Sequence, residues 1–462
     1  MSESKGSPGR AKRTMRRRVD PTRRLAYDAL RAVHAARSYA NLVLSDLLAQ
    51  RHLDARDAAF ATELVNGTCR LEGTYDAILQ VAAARPVSSF QPAVLDVLRL
   101  GCHQILSMRT PVHAAVAASV DLGAVAVGER VTGVVNAVLR RVAARDLDAW
   151  IDELTRSLTG IEALAMRHHH PMWIAQAYVD VLGVADAQLS MAANNRAPVT
   201  TLAVRPGLAT VAELLADGAA PASWSPYAAI TSSNPADVEA VRDGRAGVQD
   251  EGSQLVAIAL SRVDAPDGPW LDLCAGPGGK AALLTGLARD RGQVLLAAER
   301  QPHRAGLVAQ ALRGYAASPR SAAPLVIAAD ATRPAWRPGV FARVLADVPC
   351  TGIGALRRRP DARWRHRQDD LPDLVALQRR LLGSALDAVM PHGVVAYVTC
   401  SPHLDETEGV VHEVLNGRDD VTVLEASQYL PEVPGTARGP YVQLWPHRHG
   451  TDAMFLALLR RS

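Results

Sequence analysis

Apolar runs of strand length alternate with helical segments from about Val248 to the C-terminus. This alternation is typical of a parallel sheet covered by helices, because a crossover must carry the chain back before a second parallel strand can form. We predict strands over residues 269–273, 293–298, 325–329, 343–346 and 394–398, and a last strand over 453–458. The sequence therefore predicts a doubly wound α/β domain over residues 247–462.

The remainder of the chain divides into three further segments. Residues 20–150 show the helical spacing of three and four in apolar positions such as Leu25, Ala29 and Val33, and we predict helices over 55–70, 91–108 and 114–127. Residues 151–246 mix proline punctuation with a strand-like run over 199–205, which predicts a linker and a small α/β adaptor domain. Residues 1–19 form a basic tail that we expect to be disordered.

Composition bounds the class of protein. A mean hydropathy of +0.01 and 48% apolar residues fit an ordinary soluble globular protein of several domains. Five cysteines, without close-set pairs, indicate free thiols in a reducing compartment, and no apolar run is long enough to span a membrane. We expect a cytoplasmic location. The first 24 residues include nine Lys or Arg, which indicates either a tail that binds polyanions electrostatically or a tail that is merely solvated.

A glycine-rich turn follows the first predicted strand of the α/β domain. Its sequence, CAGPGGK over residues 274–280, places glycines where the backbone can approach a ligand and expose amides at a helix start. The spacing is not that of the dinucleotide motif, and such a turn can also serve packing alone. The next strands end at Glu299, Asp330 and Asp347, on the sheet edge where open α/β sheets bind ligands.

Two cysteines fall on the same edge, Cys350 after the fourth strand and Cys400 after the fifth, on strands that we expect to be neighbours. Together with Cys274 in the glycine-rich turn, they indicate a nucleophilic enzyme. An arginine cluster follows Cys350 and contains one acid and one aromatic residue. Guanidinium groups fork onto phosphates and stack on bases, so this cluster favours a nucleic-acid substrate. Its arginines are Arg357, Arg358, Arg359, Arg363, Arg365 and Arg367.

Several motifs resemble the NOL/NOP/Sun family of RNA cytosine-5 methyltransferases. They are QDEGSQ (249–254), LDLCAGPGGK (271–280), DVPCTGIG (347–354), RRPD (358–361) with Trp364, TCS (399–401) and PHRHGTD (446–452). The helical segment, with AAFATELVNG (58–67) and VVNAVLRR (134–141), resembles the antitermination factor NusB. The combination is similar to the RsmB (Fmu/Sun) group of bacterial 16S ribosomal RNA methyltransferases. It implies an all-α NusB-like RNA-binding domain, an α/β adaptor and a Rossmann-like methyltransferase domain.

The resemblance implies roles for individual residues. Cys400 is implied to attack C6 of cytosine, and Cys350 to help expel the enzyme after C5 loses its proton; DNA cytosine methyltransferases use their Pro-Cys thiol instead, so the assignment is open at this point. Asp347 is implied to hydrogen-bond the cytosine near N3 and N4, with Lys280 facing the base. Lys280 or the arginine cluster would lower the pKa of the nucleophilic thiol. Thr351 stands where serine is commoner in the family.

The resemblance also implies S-adenosylmethionine as cofactor and RNA, in particular 16S ribosomal RNA, as partner of a monomeric chain. The residues assigned to the cofactor are Cys274, Ala275, Gly276, Pro277, Gly278, Gly279, Lys280, Glu299, Arg304, Asp330 and Asp347. The residues assigned to RNA are Arg357, Arg358, Arg359 and Arg363. We expect no metal site, because the adjacent histidines at 168–170 lack a ligand spacing. His447 and His449 are expected to shape the sheet edge, and Cys69 and Cys102 to lie in the core.

Three alternatives stay open. A non-catalytic RNA-binding factor would use the NusB-like segment and the arginines without methyl transfer, although the two cysteines and the glycine-rich turn argue against it. A nicotinamide-dependent oxidoreductase could use the same sheet, but the dinucleotide glycine spacing is missing. Within the methyltransferase class, transfer RNA is an alternative substrate to 16S ribosomal RNA.

Overall fold

The computed structural model describes residues 19–36, 39–51, 53–316 and 324–462. Apart from Val19, the predicted basic tail lies outside these residues. The chain forms two compact units, Met1–Ser157 and Leu158–Ser462. No helix within the described ranges has both the length and the apolar character needed to cross a membrane.

The first unit is helical throughout its described residues. Its helices are α1 (Pro21–Ala36), α2 (Ala40–Arg51), α3 (Ala55–Arg70), α4 (Glu72–Ala83), α5 (Pro92–Leu106), α6 (Val112–Ala126), α7 (Thr132–Val142) and α8 (Leu147–Thr155). The predicted helices are confirmed as α3, α5 and α6, with ends within two residues. Helix α3 begins where the Asp54 carboxylate accepts a hydrogen bond from the Asp57 amide. Cys69 and Cys102 are fully buried in the core, as predicted.

A charged cluster joins α1, α4 and α5 inside this unit. Arg99 donates to Asp76 at 2.6 Å and lies 3.0 Å from Glu72. His34 hydrogen-bonds Asp96 at 2.8 Å through Nδ1 and Glu72 at 3.1 Å through Nε2. Burial opposes the charge of His34, but the hydrogen bonds to the two carboxylates outweigh it and raise the pKa of His34 to about 9. The imidazole is therefore charged at neutral pH.

The second unit begins with helices and a small sheet. Its first elements are α9 (Gly160–Arg167), α10 (Met172–Asn194, broken at Gly183), β1 (Thr200–Val204), α11 (Val211–Ala216), β2 (Ala220–Pro221), β3 (Ala228–Thr231), α12 (Glu239–Arg242) and β4 (Ala246–Val248). The sheet is antiparallel in the order β2-β3-β1-β4, and it packs Leu202, Leu214 and Ala240 into a core of its own. The predicted strand over 199–205 is confirmed as β1.

A larger sheet carries the remainder of the chain. Its strands are β5 (Trp270–Asp272), β6 (Leu295–Glu299), β7 (Leu325–Ala328), β8 (Phe341–Asp347), β9 (Val389–Thr399), β10 (Val421–Leu424), β11 (Ala437–Arg438), β12 (Tyr441–Gln443) and β13 (Phe455–Arg461). The order is β7-β6-β5-β8-β9-β13-β12-β11, with β10 also pairing β13. Pairing is parallel from β7 to β9 and antiparallel beyond β9. The predicted doubly wound domain is confirmed, with an antiparallel end that the alternation of elements did not predict.

Helices cover both faces of this sheet. They are α13 (Glu251–Arg262), α14 (Gly279–Arg289), α15 (Pro302–Ala311), α16 (Arg313–Ala316), α18 (Leu371–Ala388) and α19 (Glu408–Leu415). Two short helices, α17 (Ala362–Arg365) and α20 (Pro446–His449), lie instead beside the cluster formed with α9 and α10. Alternate side chains of each strand enter opposite cores, since successive residues of a strand point to opposite faces. In β9, Ala396 packs with α13 and α14, whereas Val395 and Tyr397 pack with α18 and α19. Both faces are thus buried, and the site residues gather at the carboxyl edge of the parallel strands.

Candidate active site

Cys350 and Cys400 lie side by side at the sheet edge. The strands β8 and β9 are parallel neighbours, with Asp347 opposite Val398, which confirms the predicted adjacency. The loops that follow both strands therefore start at the same edge, and the two Sγ atoms lie 3.5 Å apart. Both side chains are partly buried. This distance allows one thiol to donate a hydrogen bond to the other sulfur.

The two thiols have opposite pKa shifts. The hydrogen bond from Cys350 and the positive charge of Arg359 lower the pKa of Cys400, against the effect of burial. The hydrogen bond to Cys400, burial and the negative charge of Glu406 raise the pKa of Cys350 well above that of a free thiol. Of the two thiols, Cys400 is therefore the one that ionises more readily, and Cys350 is the one that keeps its proton. A thiolate is the nucleophilic form of cysteine.

Glycines allow the loop after β8 to approach Cys400. Gly352 has a φ of +70°, a left-handed conformation that glycine adopts without strain. The Gly354 amide donates to the Cys400 carbonyl at 2.9 Å. A Cβ on Gly354 would lie 2.4 Å from the Ala453 carbonyl oxygen, so a larger residue would push the loops apart.

A buried glutamate also joins the two cysteine loops. Glu406 is fully buried, and its carboxylate accepts from the Thr351 amide at 2.8 Å, from the Thr351 hydroxyl and from Gln378 at 3.0 Å. The Thr351 hydroxyl also contacts Ser401 at 3.2 Å. Threonine thus provides the hydroxyl that serine would supply. The sequence analysis missed Glu406, because a single acid in a short loop carries no recognisable motif.

Lys280 and Asp347 form an ion pair beside the cysteines. The Lys280 Nζ donates to Asp347 Oδ2 at 2.8 Å. Burial opposes the charge of Lys280, but the attraction and hydrogen bond of Asp347 outweigh it and raise the pKa of Lys280. The thiolate of Cys400 contributes in the same direction, which places Lys280 within its electrostatic reach. The site therefore holds a fixed ammonium group next to a carboxylate and the more acidic of the two thiols.

The glycine-rich turn runs from β5 into α14, and two side chains fix it. The Gly276 amide donates to Glu299 Oε2 at 3.1 Å, and Arg304 donates to the Gly276 carbonyl at 2.7 Å. A Cβ at position 276 would lie 2.2 Å from Glu299 Oε2, so a larger residue would displace the Glu299 carboxylate. Gly278 has a φ of +114°, which glycine alone adopts readily. Glu299 and Arg304 therefore shape the turn from the end of β6 and from α15.

Asp272, the last residue of β5, was missed by the sequence analysis. It is 1% exposed, and neither carboxylate oxygen makes a hydrogen bond of standard geometry to a described residue. Burial, and secondly the charge of Asp347, raise the pKa of Asp272 to about 8. Buried carboxyls are normally paired, so such an exception indicates a site for a ligand. In the sequence Asp272 lies within the motif LDLCAGPGGK, but no role was assigned to it.

Two further predicted cofactor residues lie on the same edge. Burial and the neighbouring carboxylates raise the pKa of Cys274 well above the usual value, so this thiol is not a nucleophile. Asp330 accepts from the amide and hydroxyl of Thr332, which lower its pKa. It is partly exposed after β7. Whether it contacts a cofactor stays a prediction.

The arginine cluster makes mostly internal contacts. Arg358 donates to Asp452 at 2.9 Å, and Arg357 donates to the Gly450 carbonyl at 2.6 Å. The Asp452 amide in turn donates to Asp250, at the start of α13, at 3.0 Å. Both arginines thus hold the loop before β13 against the cysteine loops. Their predicted contact with RNA stays a prediction, as does that of Arg359.

The prediction that Arg363 binds RNA is wrong. Its side chain is fully buried and donates to the His169 carbonyl at 2.8 Å and to Asn195 Oδ1 at 2.9 Å. These contacts satisfy the polar groups at both ends of α10, so the guanidinium cannot reach a phosphate. A run of arginines in a sequence does not distinguish a buried guanidinium from an exposed one.

The histidines have structural contacts. His449 Nδ1 accepts from the Trp445 amide at 2.9 Å, and its Nε2 lies 3.1 Å from the Pro434 carbonyl, so it shapes the loop before β13 as expected. Within the described ranges, no group of three or more His, Cys, Asp or Glu side chains could hold a metal ion.

Comparison with known proteins identifies the family. The family model described as 16S rRNA methyltransferase RsmB/F matches residues 257–460, and the NusB family model matches residues 20–144. A Mycobacterium tuberculosis protein named as a methyltransferase is 48% identical over 98% of this chain and 99% of its own length. Ribosomal RNA small subunit methyltransferase B of Sodalis glossinidius is 30% identical over 88% of this chain and 90% of its own.

A solved structure supports the fold over both units. The crystal structure of PH0851 is similar with a TM-score of 0.81, covering 96% of this chain and all of that chain at 21% identity. The methyltransferase-type sheet, the helical first unit and the sequence relatives all point to one family. The chain belongs to the RsmB/F family of S-adenosylmethionine-dependent RNA methyltransferases and carries a NusB-family helical domain in its N-terminal part.

Proposed function

We propose that the chain methylates C5 of a cytosine in 16S ribosomal RNA, acting as a monomer and using Cys400 as a covalent nucleophile. The observation that carries the proposal is the pair of thiols 3.5 Å apart with opposite pKa shifts. Cytosine C5 is a poor nucleophile, so this reaction needs a thiolate that adds to C6 first. The name of the matched family and that of the Sodalis relative favour the ribosomal substrate.

The Cys400 thiolate forms a bond from Sγ to C6, and the electron pair of the C5–C6 double bond moves to C5. C5 would then bond to the electrophilic methyl group that S-adenosylmethionine would supply, and the electrons of the broken S–CH₃ bond would stay on its sulfur. Negative charge that develops on the ring near N3 is offset by the Lys280 ammonium, while Asp347 accepts the N4 hydrogen. These groups are held before the reaction by their mutual hydrogen bond, so little reorganisation is needed.

Cys350 acts in the release step. After C5 loses its proton to water, the electron pair re-forms the C5–C6 double bond and the Sγ–C6 bond breaks. The raised pKa keeps Cys350 in the thiol form, so its S–H can donate a hydrogen bond to the departing Cys400 thiolate. Expulsion of a thiolate is faster when such a donor is adjacent. Cys350 is therefore assigned to product release and Cys400 to attack.

The glycine-rich edge fits S-adenosylmethionine, which when bound supplies an electrophilic methyl group on a positively charged sulfonium. The buried carboxyl of Asp272, which makes no hydrogen bond of standard geometry to a described residue, offers a partner for a cationic methionine end. Each oxygen of Glu299 holds one backbone amide and retains a lone pair for a ribose hydroxyl. The assigned cofactor residues are thus chemically compatible with the group.

The test uses purified wild type, Cys400→Ala and Cys350→Ala with labelled S-adenosylmethionine and undermodified 16S RNA, free or in particles. The readouts are 5-methylcytosine and covalent protein–RNA adduct. We expect Cys400→Ala to lose both signals and Cys350→Ala to accumulate adduct. Cys69→Ala and Cys102→Ala are poor controls because both thiols are buried in the core.

Other outcomes are equally decisive. If the adduct persists in Cys400→Ala and disappears in Cys350→Ala, Cys350 is the nucleophile. If transfer RNA is methylated and 16S RNA is not, transfer RNA is the substrate. RNA binding by wild type without methylation of any RNA would favour a non-catalytic binding factor.

A further inference from the structure

A cleft of about 330 Å³ lies between the first half of α10 and the loop that follows Cys400. This volume is at the lower end of the range for small-ligand pockets. None of its lining residues takes part in the chemistry assigned above. Those that matter for its recognition properties are Met172, Trp173, Gln176, Asp180, His403 and Asp405.

The cleft is fixed to both cysteine loops. From α10, the Tyr178 hydroxyl donates to the Ile353 carbonyl at 2.9 Å, three residues after Cys350. On the other wall, the His403 amide donates to the Ser401 hydroxyl at 3.2 Å, directly after Cys400. The Cα atoms of His403 and Cys400 are at most about 11 Å apart, because the two residues are three positions apart in the chain. An RNA strand that places a base at Cys400 therefore passes this cleft with its neighbouring nucleotides.

The lining suits a nucleobase rather than a phosphate. Trp173 is partly exposed and Met172 is 53% exposed, so apolar surface beside the active site is left uncovered. Bases that leave their stack commonly bind on aromatic side chains. Asp405 and Asp180 repel phosphate but can accept hydrogen bonds from base N–H groups, and Gln176 holds Asp180 at 2.6 Å. Aromatic surface with carboxylate acceptors thus matches the edge and face of a base.

We propose that this cleft binds one unstacked RNA base next to the target cytosine, with Trp173 as the stacking platform. The inference rests on the proposed function and adds a specificity subsite to it. Holding a neighbouring base outside the stack helps to extrude the target base, which must be exposed for attack at C6.

The test begins with wild type and undermodified total RNA, so that the methylated cytosine is mapped whatever the RNA. A short RNA centred on that cytosine is then made with a single abasic nucleotide at each flanking position. Binding of each RNA is measured for wild type, Trp173→Ala and Trp173→Phe. The control is Leu189→Ala, because Leu189 is 58% exposed on the same helix but beyond Gly183 and outside the cleft.

We expect one abasic position to weaken wild-type binding about tenfold, and Trp173→Ala to weaken binding of intact RNA by a similar factor. Trp173→Ala should bind the RNA with that abasic position no more weakly than it binds intact RNA, because both changes remove the same contact. Trp173→Phe should retain most of the affinity for intact RNA. Additive losses at every position, with methylation intact, would overturn the cleft assignment alone. No methylation of any RNA would overturn the proposed function, and this inference with it. Should Trp173→Ala not fold, Met172→Ala replaces it, since this exposed side chain can be removed without opening the core.

Discussion

At the residue scale, Asp272 is a buried acid with few contacts, and a bound ligand could complete them. Its carboxyl has no hydrogen bond of standard geometry within the described ranges, and its pKa is raised to about 8 chiefly by burial. The protein therefore loses stability by placing this acid at the end of β5. We infer that the loss is offset when a cationic ligand binds.

We predict that Asp272→Asn weakens S-adenosylmethionine binding about tenfold and leaves the unfolding temperature unchanged or higher. The amide retains the shape of the side chain but cannot supply the charge that an ammonium or sulfonium attracts. Isothermal titration calorimetry and thermal unfolding without ligand measure the two effects. Asp264→Asn, at an exposed position ahead of β5, is the matched control. Unchanged affinity would remove Asp272 from the cofactor site.

The charge of Arg359 predicts the pH dependence of the nucleophile. Because the positive charge of Arg359 contributes to the lowered pKa of Cys400, Arg359→Gln should raise that pKa. Iodoacetamide alkylates the thiolate, so the rate of Cys400 alkylation falls as the pH drops below the pKa of Cys400. In Arg359→Gln this fall should occur at higher pH than in wild type. Peptide mass spectrometry measures the extent of Cys400 alkylation in the protein without RNA. Arg367→Gln, at an exposed arginine of the same cluster, should leave the pH–rate profile of Cys400 alkylation unchanged. If Arg367→Gln moves the profile as far as Arg359→Gln does, the effect of Arg359 is not local.

At the scale of elements, Arg363 joins the ends of α10 through its bonds to His169 and Asn195. We predict that Arg363→Ala lowers the free energy of unfolding by about 2–4 kcal/mol, because it leaves buried acceptors without donors. Urea denaturation measures the loss. Arg367→Ala should change stability by less than about 0.5 kcal/mol, since surface substitutions are usually that small. A near-neutral Arg363→Ala would contradict the role assigned to its contacts.

The contacts between α1, α4 and α5 predict a pH-dependent stability of the first unit. The pKa of His34 is about 9 in the folded chain against 6.5 when unfolded, so its contribution is fully present below pH 6.5 and is lost as the pH rises through 9. We expect wild type to lose ~2–3 kcal/mol more than His34→Gln between pH 6.5 and 9.5. Hydrogen exchange of amides in α1 and α5, corrected for intrinsic rates, measures the difference. Parallel losses in both proteins would refute the linkage.

The secondary-structure elements differ in how well the sequence predicts them. Helix α3 could be predicted from the spacing of its apolar residues and its Asp54 cap, and strand β7 from an unbroken apolar run. The antiparallel strand β10 was missed because Thr422 interrupts its apolar residues and acidic residues flank them, so no apolar run stands out. In the site, the motif residues Cys350 and Cys400 could be found, whereas Glu406 could not. Its role depends on three donors that folding brings from distant positions, and no local pattern encodes them.

At the scale of the whole molecule, the two units have separate hydrophobic cores. The core of the first unit extends from Leu25 to Trp150, and every core cluster of the second lies between Leu164 and Leu459. The paired cysteines, the glycine-rich turn and the proposed base cleft all belong to the second unit. Cofactor binding and chemistry therefore have all their assigned residues in Leu158–Ser462.

We predict that the fragment Leu158–Ser462 unfolds cooperatively and binds S-adenosylmethionine with the affinity of the full chain. Its affinity for the mapped RNA should fall at least about tenfold, and the dependence of that affinity on salt should become weaker, because each lost phosphate contact reduces the salt slope. Calorimetry and fluorescence anisotropy over a salt series measure both effects. Weakened cofactor binding would show that the first unit supports the methyl-donor site. An unchanged salt slope would mean that the NusB-family unit makes no phosphate contacts with this RNA, and that the second unit alone carries recognition as well as chemistry.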